Sequence, residues 1–219
     1  MIEVDATADA IRQRRRTWMT GGVLFLVSAL LGLARVSVPG LPFGISQLLF
    51  HAGAVVFAVG LGRGGSVTAR RPLGTGAIIA LAVWALVGSP VLWALVNSGA
   101  PADGVDDSYL ASAAMVGTSG EIVGLVLAII AVAQVGRIAV VPKPWNWAPL
   151  WALIGVVAAQ LVPNLIATAM RTGDQALLGA LFAMIDLISA GAVAFLGVVG
   201  LMLSLRPARG DSVVFTSRG

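Results

Sequence analysis

The chain has no cysteine, one histidine and few charged residues. The absence of cysteine from all 219 residues excludes disulfides, thiol redox chemistry and thiolate metal sites. The single histidine, His51, excludes a haem held by two histidines and leaves too few ligands for an ordinary zinc site. Only 11% of the residues are charged, against about 25% in an average soluble domain. We therefore predict neither a cofactor nor a metal centre.

The sequence instead contains six long apolar runs separated by short polar loops. Each run has at least 17 residues. A helix needs about 20 residues, with a lower limit near 17, to cross a hydrocarbon core of roughly 30 Å. We therefore predict an all-α, polytopic membrane protein whose six transmembrane helices form three hairpins. The runs are Trp18–Ala34, Phe43–Leu61, Leu73–Val96, Tyr109–Gly136, Ala148–Met170 and Ala176–Leu205.

The six runs leave no room for a second domain. We interpret residues 1–17 as a cytoplasmic N-terminal segment, 18–205 as the transmembrane domain and 206–219 as a disordered cytoplasmic tail. In the N-terminal segment, Ile2–Arg16 has its acidic residues first and its arginines last, an order that suits the dipole of a surface helix. The alternative for this segment is a frayed tail.

The distribution of basic residues indicates the orientation in the membrane. If the N-terminus is cytoplasmic, 12 of the 14 Lys and Arg residues lie inside, and only Arg35 and Arg171 lie outside. Short loops rich in Lys and Arg stay on the cytoplasmic side. We therefore predict a cell-membrane protein with both termini in the cytoplasm. We expect the basic clusters to contact anionic lipid headgroups and not nucleic acid. Arginine supplies 13 of these residues, which is typical of a GC-rich bacterial genome.

Tryptophans flank the predicted inner interface. Indole rings prefer the headgroup level of a bilayer, where one edge is apolar and the other is wet. We therefore expect Trp18, together with Trp145, Trp147 and Trp151 of the fourth-to-fifth helix loop, to lie at this interface.

Three ionisable residues, His51, Glu121 and Asp186, interrupt the apolar runs. Each lies on a stripe of small residues that recurs every three or four positions, and such stripes allow close helix packing in membranes. Because ionisable residues within a membrane usually face protein or water, we expect all three to face the other helices. The stripes are Gly44, Gln47, His51, Ala54 and Ala58; Ala113, Gly117, Glu121, Gly124, Ala128 and Ala131; and Gly179, Ala183, Asp186, Ala190, Ala194 and Gly197.

Two prolines add polar features to the outer half of the bundle. Pro90 and Pro163 are expected to kink the third and fifth helices, because proline removes a backbone hydrogen bond. Several polar residues lie near the same depth, which predicts a polar cavity, open to the outside, for a cation, a proton or an amine. The alternative is a set of interhelical hydrogen bonds, each contributing about 1 kcal/mol. The candidate site residues are Gln47, His51, Glu121, Gln160, Asn164 and Asp186.

The tetrad Gly117-Thr118-Ser119-Gly120 is similar to the G-x-S-G nucleophile motif of rhomboid intramembrane proteases, which have a six-helix core. The resemblance implies Ser119 as nucleophile and a histidine of the sixth helix as base. This chain has Asp186 in the sixth helix, and its only histidine lies in the second. Since a serine without an adjacent base is a weak nucleophile, we do not predict a protease and interpret Ser119 as a packing residue.

These features together predict a small transporter, or a membrane subunit of a transport system, with the polar cavity as its solute or ion site. The alternative is a non-catalytic structural or regulatory subunit that binds other membrane chains, or further copies of itself, through small-residue faces. An intramembrane enzyme is the third hypothesis. A water-accessible cavity around Glu121 would favour transport, and dense packing there would favour the subunit.

Overall fold

Helices occupy all six apolar runs. The structure, a computed structural model, describes residues 2–38, 43–62, 65–99, 107–138, 140–170 and 175–206. Within these ranges the side chains of 2–8, 36–37, 43, 162–170, 175–176 and 178 are left out of the description. The tail predicted to be disordered lies, from residue 207 onward, outside the described residues.

Every regular element in these ranges is helical, which confirms the all-α class. A π-helical turn, Trp84–Gly88, joins α3 to α4, and a short 3-10 turn, Trp145–Trp147, precedes α6. The helices are α1 Ile2–Ser37, α2 Phe43–Val59, α3 Pro72–Val83, α4 Ser89–Ser98, α5 Asp107–Arg137, α6 Ala148–Met170 and α7 Gln175–Leu205.

Among the described residues, four helical segments are long and apolar enough to cross a membrane. Their lengths, 27 to 31 residues, exceed the roughly 20 that a bilayer core requires. The apolar part of α2, Gly44–Val59, is shorter. The chain is therefore described as a membrane protein with several apolar helices. The four segments are Asp9–Arg35, Pro72–Ser98, Asp107–Arg137 and Gly179–Leu205.

The first helix extends further towards the N-terminus than its apolar run. α1 is continuous from Ile2 to Ser37, so residues 2–17 belong to the same helix as the first apolar run. The irregularity expected at Pro90 takes the form of the π turn that ends two residues before it. Because proline has no amide hydrogen, the carbonyl of Leu86 lacks its α-helical donor, and a π turn is a common local response.

α1 lies at the centre of the packing and contacts both α2 and α7. Glycines allow the backbones of α1 and α7 to approach closely. A Cβ atom on Gly22 would lie 2.9 Å from the carbonyl oxygen of Gly197, and a Cβ on Gly197 would lie 2.9 Å from that of Gly22. A similar contact joins α1 to α2, where Gly53 accommodates the ring of Phe25. Small residues therefore determine the closest helix contacts, as is usual in membranes.

Buried apolar residues concentrate at one end of the molecule, and Trp18 is at their centre. Trp18 is only 3% exposed, its ring meets Phe57 edge-to-face at 5.8 Å, and the Arg14 guanidinium lies 5.5 Å from its ring centroid. Neighbouring segments therefore cover the Trp18 ring, which packs against protein, and its location at the level of the membrane interface stays a prediction. The cluster contains Trp18, Val67, Val135, Val141, Ala148, Val199 and Leu203.

The segment that follows α2 folds back under this cluster and is held by buried hydroxyl groups. Thr68 is fully buried, and its Oγ1 donates to the carbonyl of Ala58 at 3.0 Å and bonds Thr75 Oγ1 at 2.6 Å. Thr17 of α1 is also fully buried, and its Oγ1 accepts a hydrogen bond from the amide of Leu61 at 2.8 Å. Gly60, with φ +76°, makes the turn that these bonds require.

α3, α4 and α5 form a hairpin at the periphery. α5 packs against α3 and α4, while α3 also contacts α2 and α5 also contacts α6. Only 6% of the apolar window is buried in Pro72–Ser98 and in Asp107–Arg137, against 39% in Asp9–Arg35 and 33% in Gly179–Leu205. The hairpin therefore presents most of its surface outward, whereas α1 and α7 form the core.

Candidate functional site

His51 is the candidate residue that the structure buries most clearly. Its Nδ1 lies 2.8 Å from the carbonyl oxygen of Gln47, one helical turn earlier, and its ring meets Phe50 edge-to-face at 5.1 Å. Phe50 in turn stacks on Phe25 of α1, with 5.2 Å between ring centroids. The expected inward orientation of His51 is therefore confirmed, and its surroundings are mainly aromatic.

Glu121 does not face the other helices. It is exposed on α5, and no hydrogen bond or ion pair joins it to another side chain that the structure describes. The ring of Trp84 lies against Gly120 and Gly124, and Trp84 Nε1 donates to the Gly120 carbonyl at 3.1 Å. Glu121 lies about 100° around the helix from Gly120 and about 60° from Gly124, so it projects beside the glycine face that receives this indole. The predicted inward orientation is therefore wrong for this chain on its own.

Asp186 forms an ion pair that the sequence did not predict. Its Oδ2 lies 3.5 Å from Nη2 of Arg35, so the pair joins α7 to the C-terminal end of α1. The two side chains are 44% and 34% exposed, which places the pair at the edge of the helix contact. The first apolar run ends at Ala34, directly before Arg35, but α1 continues through Arg35 to Ser37. The helical continuation of α1 is the signal that sequence reasoning missed.

Two further candidates, Gln160 and Asn164, belong to α6. Gln160 is exposed on α6, and the side chain of Asn164 lies outside the described residues. Ser119 of the G-x-S-G tetrad is exposed, and its hydroxyl donates to the carbonyl of Met115 at 2.6 Å. Among the described side chains, no three His, Cys, Asp or Glu residues come together in a way that could hold a metal ion.

Exposed basic residues gather at the end of the molecule that contains Trp18. Arg14 of α1 donates through Nη2 to the carbonyl of Val140 at 3.1 Å, which ties the start of α1 to the loop before α6. Arg70 donates to the carbonyls of Val59 at 3.2 Å and Gly62 at 2.9 Å. We call this region the basic end. Its exposed basic residues are Arg12, Arg14, Arg15, Arg16, Arg70, Arg71, Arg137, Lys143 and Arg206.

No protein-family model, no curated protein and no solved structure matches this chain. Its function therefore has to be inferred from the chemistry of its own residues.

Proposed function

We propose that the chain is a non-catalytic subunit of an assembly in the cell membrane, and that the hairpin of α3, α4 and α5 contacts its partner there. The observation that carries this proposal is the exposed carboxyl group of Glu121 in the middle of α5, a helix long and apolar enough to cross a membrane. The partner is another membrane chain or a second copy of this one.

The position of Glu121 makes its exposure costly in a lone chain. It lies 14 residues after Asp107 and 16 residues before Arg137, or about 21 Å and 24 Å from the two ends of α5 at 1.5 Å per residue. An acidic side chain at the centre of a bilayer costs about 2.5–3.5 kcal/mol on insertion scales. A neighbouring helix that donates a hydrogen bond to this carboxyl group would remove much of the cost.

The surface around Glu121 suits such a contact. Leu125, about one turn after Glu121 on α5, is an exposed apolar side chain. The hydroxyl side chains of Thr118 and Ser119 are exposed on the same helix. The surface therefore combines apolar area with a few hydrogen-bonding groups, as interfaces between membrane helices do.

The same arrangement weighs against the transport hypothesis. A solute site in the outer half requires Glu121, His51 and Asp186 to share one cavity. Glu121 is exposed on the peripheral hairpin, His51 is buried among aromatic rings, and Asp186 pairs with Arg35. Transport is the second candidate, and stabilisation of the purified protein by a particular solute would favour it. That the chain is not an enzyme stays a prediction.

The orientation belongs to this proposal too. The exposed basic residues of the basic end support a cytoplasmic location for that end, since positively charged segments are retained there. Both termini would then lie in the cytoplasm.

The test is the size of the particle that the chain forms in native membranes. Extraction into lipid nanodiscs without detergent should give a wild-type particle larger than a monomer, measured by mass photometry. Glu121→Leu should shift the particle towards the monomer. Glu121→Gln, which keeps the hydrogen-bonding shape, should shift it less. Ile129→Leu, at another exposed position of α5, is the matched control. A monomeric wild-type protein that Glu121→Leu leaves unchanged contradicts the proposal.

A further inference from the structure

A recess opens beside the start of α6, at the basic end. Its volume is about 460 Å³, and it lies between the loop that follows α5 and the first turn of α6. We call it the Lys143 recess. Its lining residues are Lys143, Pro144, Asn146, Trp147, Leu150 and Trp151.

Contacts with the end of α5 position the walls of the recess. Asn146 is buried, and its Nδ2 donates to the carbonyl of Gly136 at 3.2 Å. The ring of Trp147 lies over the same glycine, where a Cβ atom would come within 2.5 Å of the indole Cζ3. The amide of Trp145 donates to the carbonyl of Pro142 at 3.0 Å, which closes the turn between them. These contacts therefore hold the walls of the recess in a defined position.

The recess combines a cation with indole rings. Lys143 is exposed, and it forms no ion pair with a carboxylate in the described part of the chain. Arg14, through its bond to the Val140 carbonyl, and Arg137, at the end of α5, add positive charge nearby. Lys is a common ligand of phosphate groups, and indole rings favour the headgroup level of a bilayer. The charge of the recess is therefore complementary to a phosphate.

A second observation points to a lipid as the source of that phosphate. An exposed apolar stripe starts at the recess and continues along one face of α6, with residues three or four positions apart. Trp151, at its head, is 67% exposed. Such a stripe follows the direction in which an acyl chain enters the membrane. The stripe contains Trp147, Trp151, Ile154, Ala158 and Leu161.

We infer that the Lys143 recess binds the phosphate of an anionic phospholipid, and that an acyl chain of that lipid lies along the exposed stripe of α6. The inference depends on a membrane location and not on the subunit proposal, because neither Glu121 nor the hairpin face takes part.

The experiment measures lipid retention by the purified full-length chain. The protein in neutral detergent is incubated with equal amounts of phosphatidylglycerol and phosphatidylcholine, and native mass spectrometry gives the ratio of the two bound lipids. Wild-type protein should retain phosphatidylglycerol preferentially. Lys143→Gln should reduce this preference about fivefold, which corresponds to the ~1 kcal/mol that one basic residue contributes near an anionic surface.

Arg71→Gln is the matched control, because it removes one exposed charge from the same end of the molecule but outside the recess. Equal losses of preference in both variants would show a general charge effect and would overturn the site. Trp151→Ser, which removes the large apolar side chain at the start of the stripe, should lower retention of both lipids.

Inorganic phosphate at millimolar concentration is added in a further arm. Full displacement of the lipid by free phosphate, with no effect of Trp151→Ser, would identify a soluble-anion site and would overturn the lipid assignment.

Discussion

Arg35 and Asp186 form an ion pair between α1 and α7, with 3.5 Å between Nη2 and Oδ2. The two charges neutralise each other at the outer edge of the most extensive helix contact in the described chain. Asp186 is therefore explained as a structural partner of Arg35 and does not need a solute to balance its charge.

We expect the Arg35–Asp186 pair to contribute modestly to stability. The Arg35 side chain is 34% exposed and the Asp186 side chain is 44% exposed. Exposed pairs contribute about 0.2–1 kcal/mol, so Arg35→Gln and Asp186→Asn should each lower stability by a similar small amount. A double-mutant cycle of thermal unfolding in detergent measures the coupling. The charge-reversed double variant Arg35→Asp/Asp186→Arg should recover most of the loss, and strictly additive effects would contradict the pair.

Substitution of Gly197 should weaken the packing of α1 on α7. A Cβ atom there would lie 2.8 Å from Leu26 Cγ and 2.9 Å from the Gly22 carbonyl oxygen. Overpacking of this kind costs about 1–3 kcal/mol, so Gly197→Ala should lower the unfolding midpoint. Gly191 of the same helix has nothing within 4 Å of its Cβ position. Gly191→Ala should therefore raise stability by about 0.5–1 kcal/mol through helix propensity alone. Equal effects at the two glycines would refute the close approach.

The hydroxyl group of Thr68 should contribute measurably to the free energy of unfolding. Thr68→Val keeps the shape of the side chain but removes the bonds to the Ala58 carbonyl and Thr75 Oγ1. The Ala58 carbonyl keeps its hydrogen bond from Ser66 Oγ, so the loss falls mainly on the half-buried Thr75 hydroxyl. We expect a loss of about 1 kcal/mol in chemical unfolding. Thr118→Val, at an exposed position of α5, should change stability by less than about 0.5 kcal/mol. If Thr68→Val leaves the stability unchanged, the hydrogen bonds of Thr68 do not stabilise the segment that follows α2.

Cysteine labelling can test the proposed orientation, because the chain has no cysteine of its own. Arg71 and Ser98 are both exposed and lie at opposite ends of the helical segment Pro72–Ser98. In intact cells, an impermeant maleimide should label Ser98→Cys and should reach Arg71→Cys only after the membrane is opened. Labelling of Arg71→Cys from outside would reverse the orientation.

The membrane character and the helical segments follow from the sequence by itself. In hydrocarbon every backbone amide and carbonyl must be paired within its own segment, so a long run of apolar residues has few alternatives to a helix. The runs predicted from composition correspond to helices for this reason. The inward orientation of His51 also followed, because this residue lies on a stripe of small residues of α2 and an ionisable side chain in a membrane usually faces protein.

The partners of individual side chains were decided only by the tertiary structure. A small-residue stripe indicates a packing face to within about one residue, and one residue is about 100° on a helix. That difference separates Gly120, which receives Trp84, from the exposed Glu121. Trp18 has the sequence features of an interface residue, yet it is buried in a cluster with apolar residues of other segments, such as Val67 and Val199. These contacts join segments that are distant in the chain, so periodicity within one helix carries no information about them.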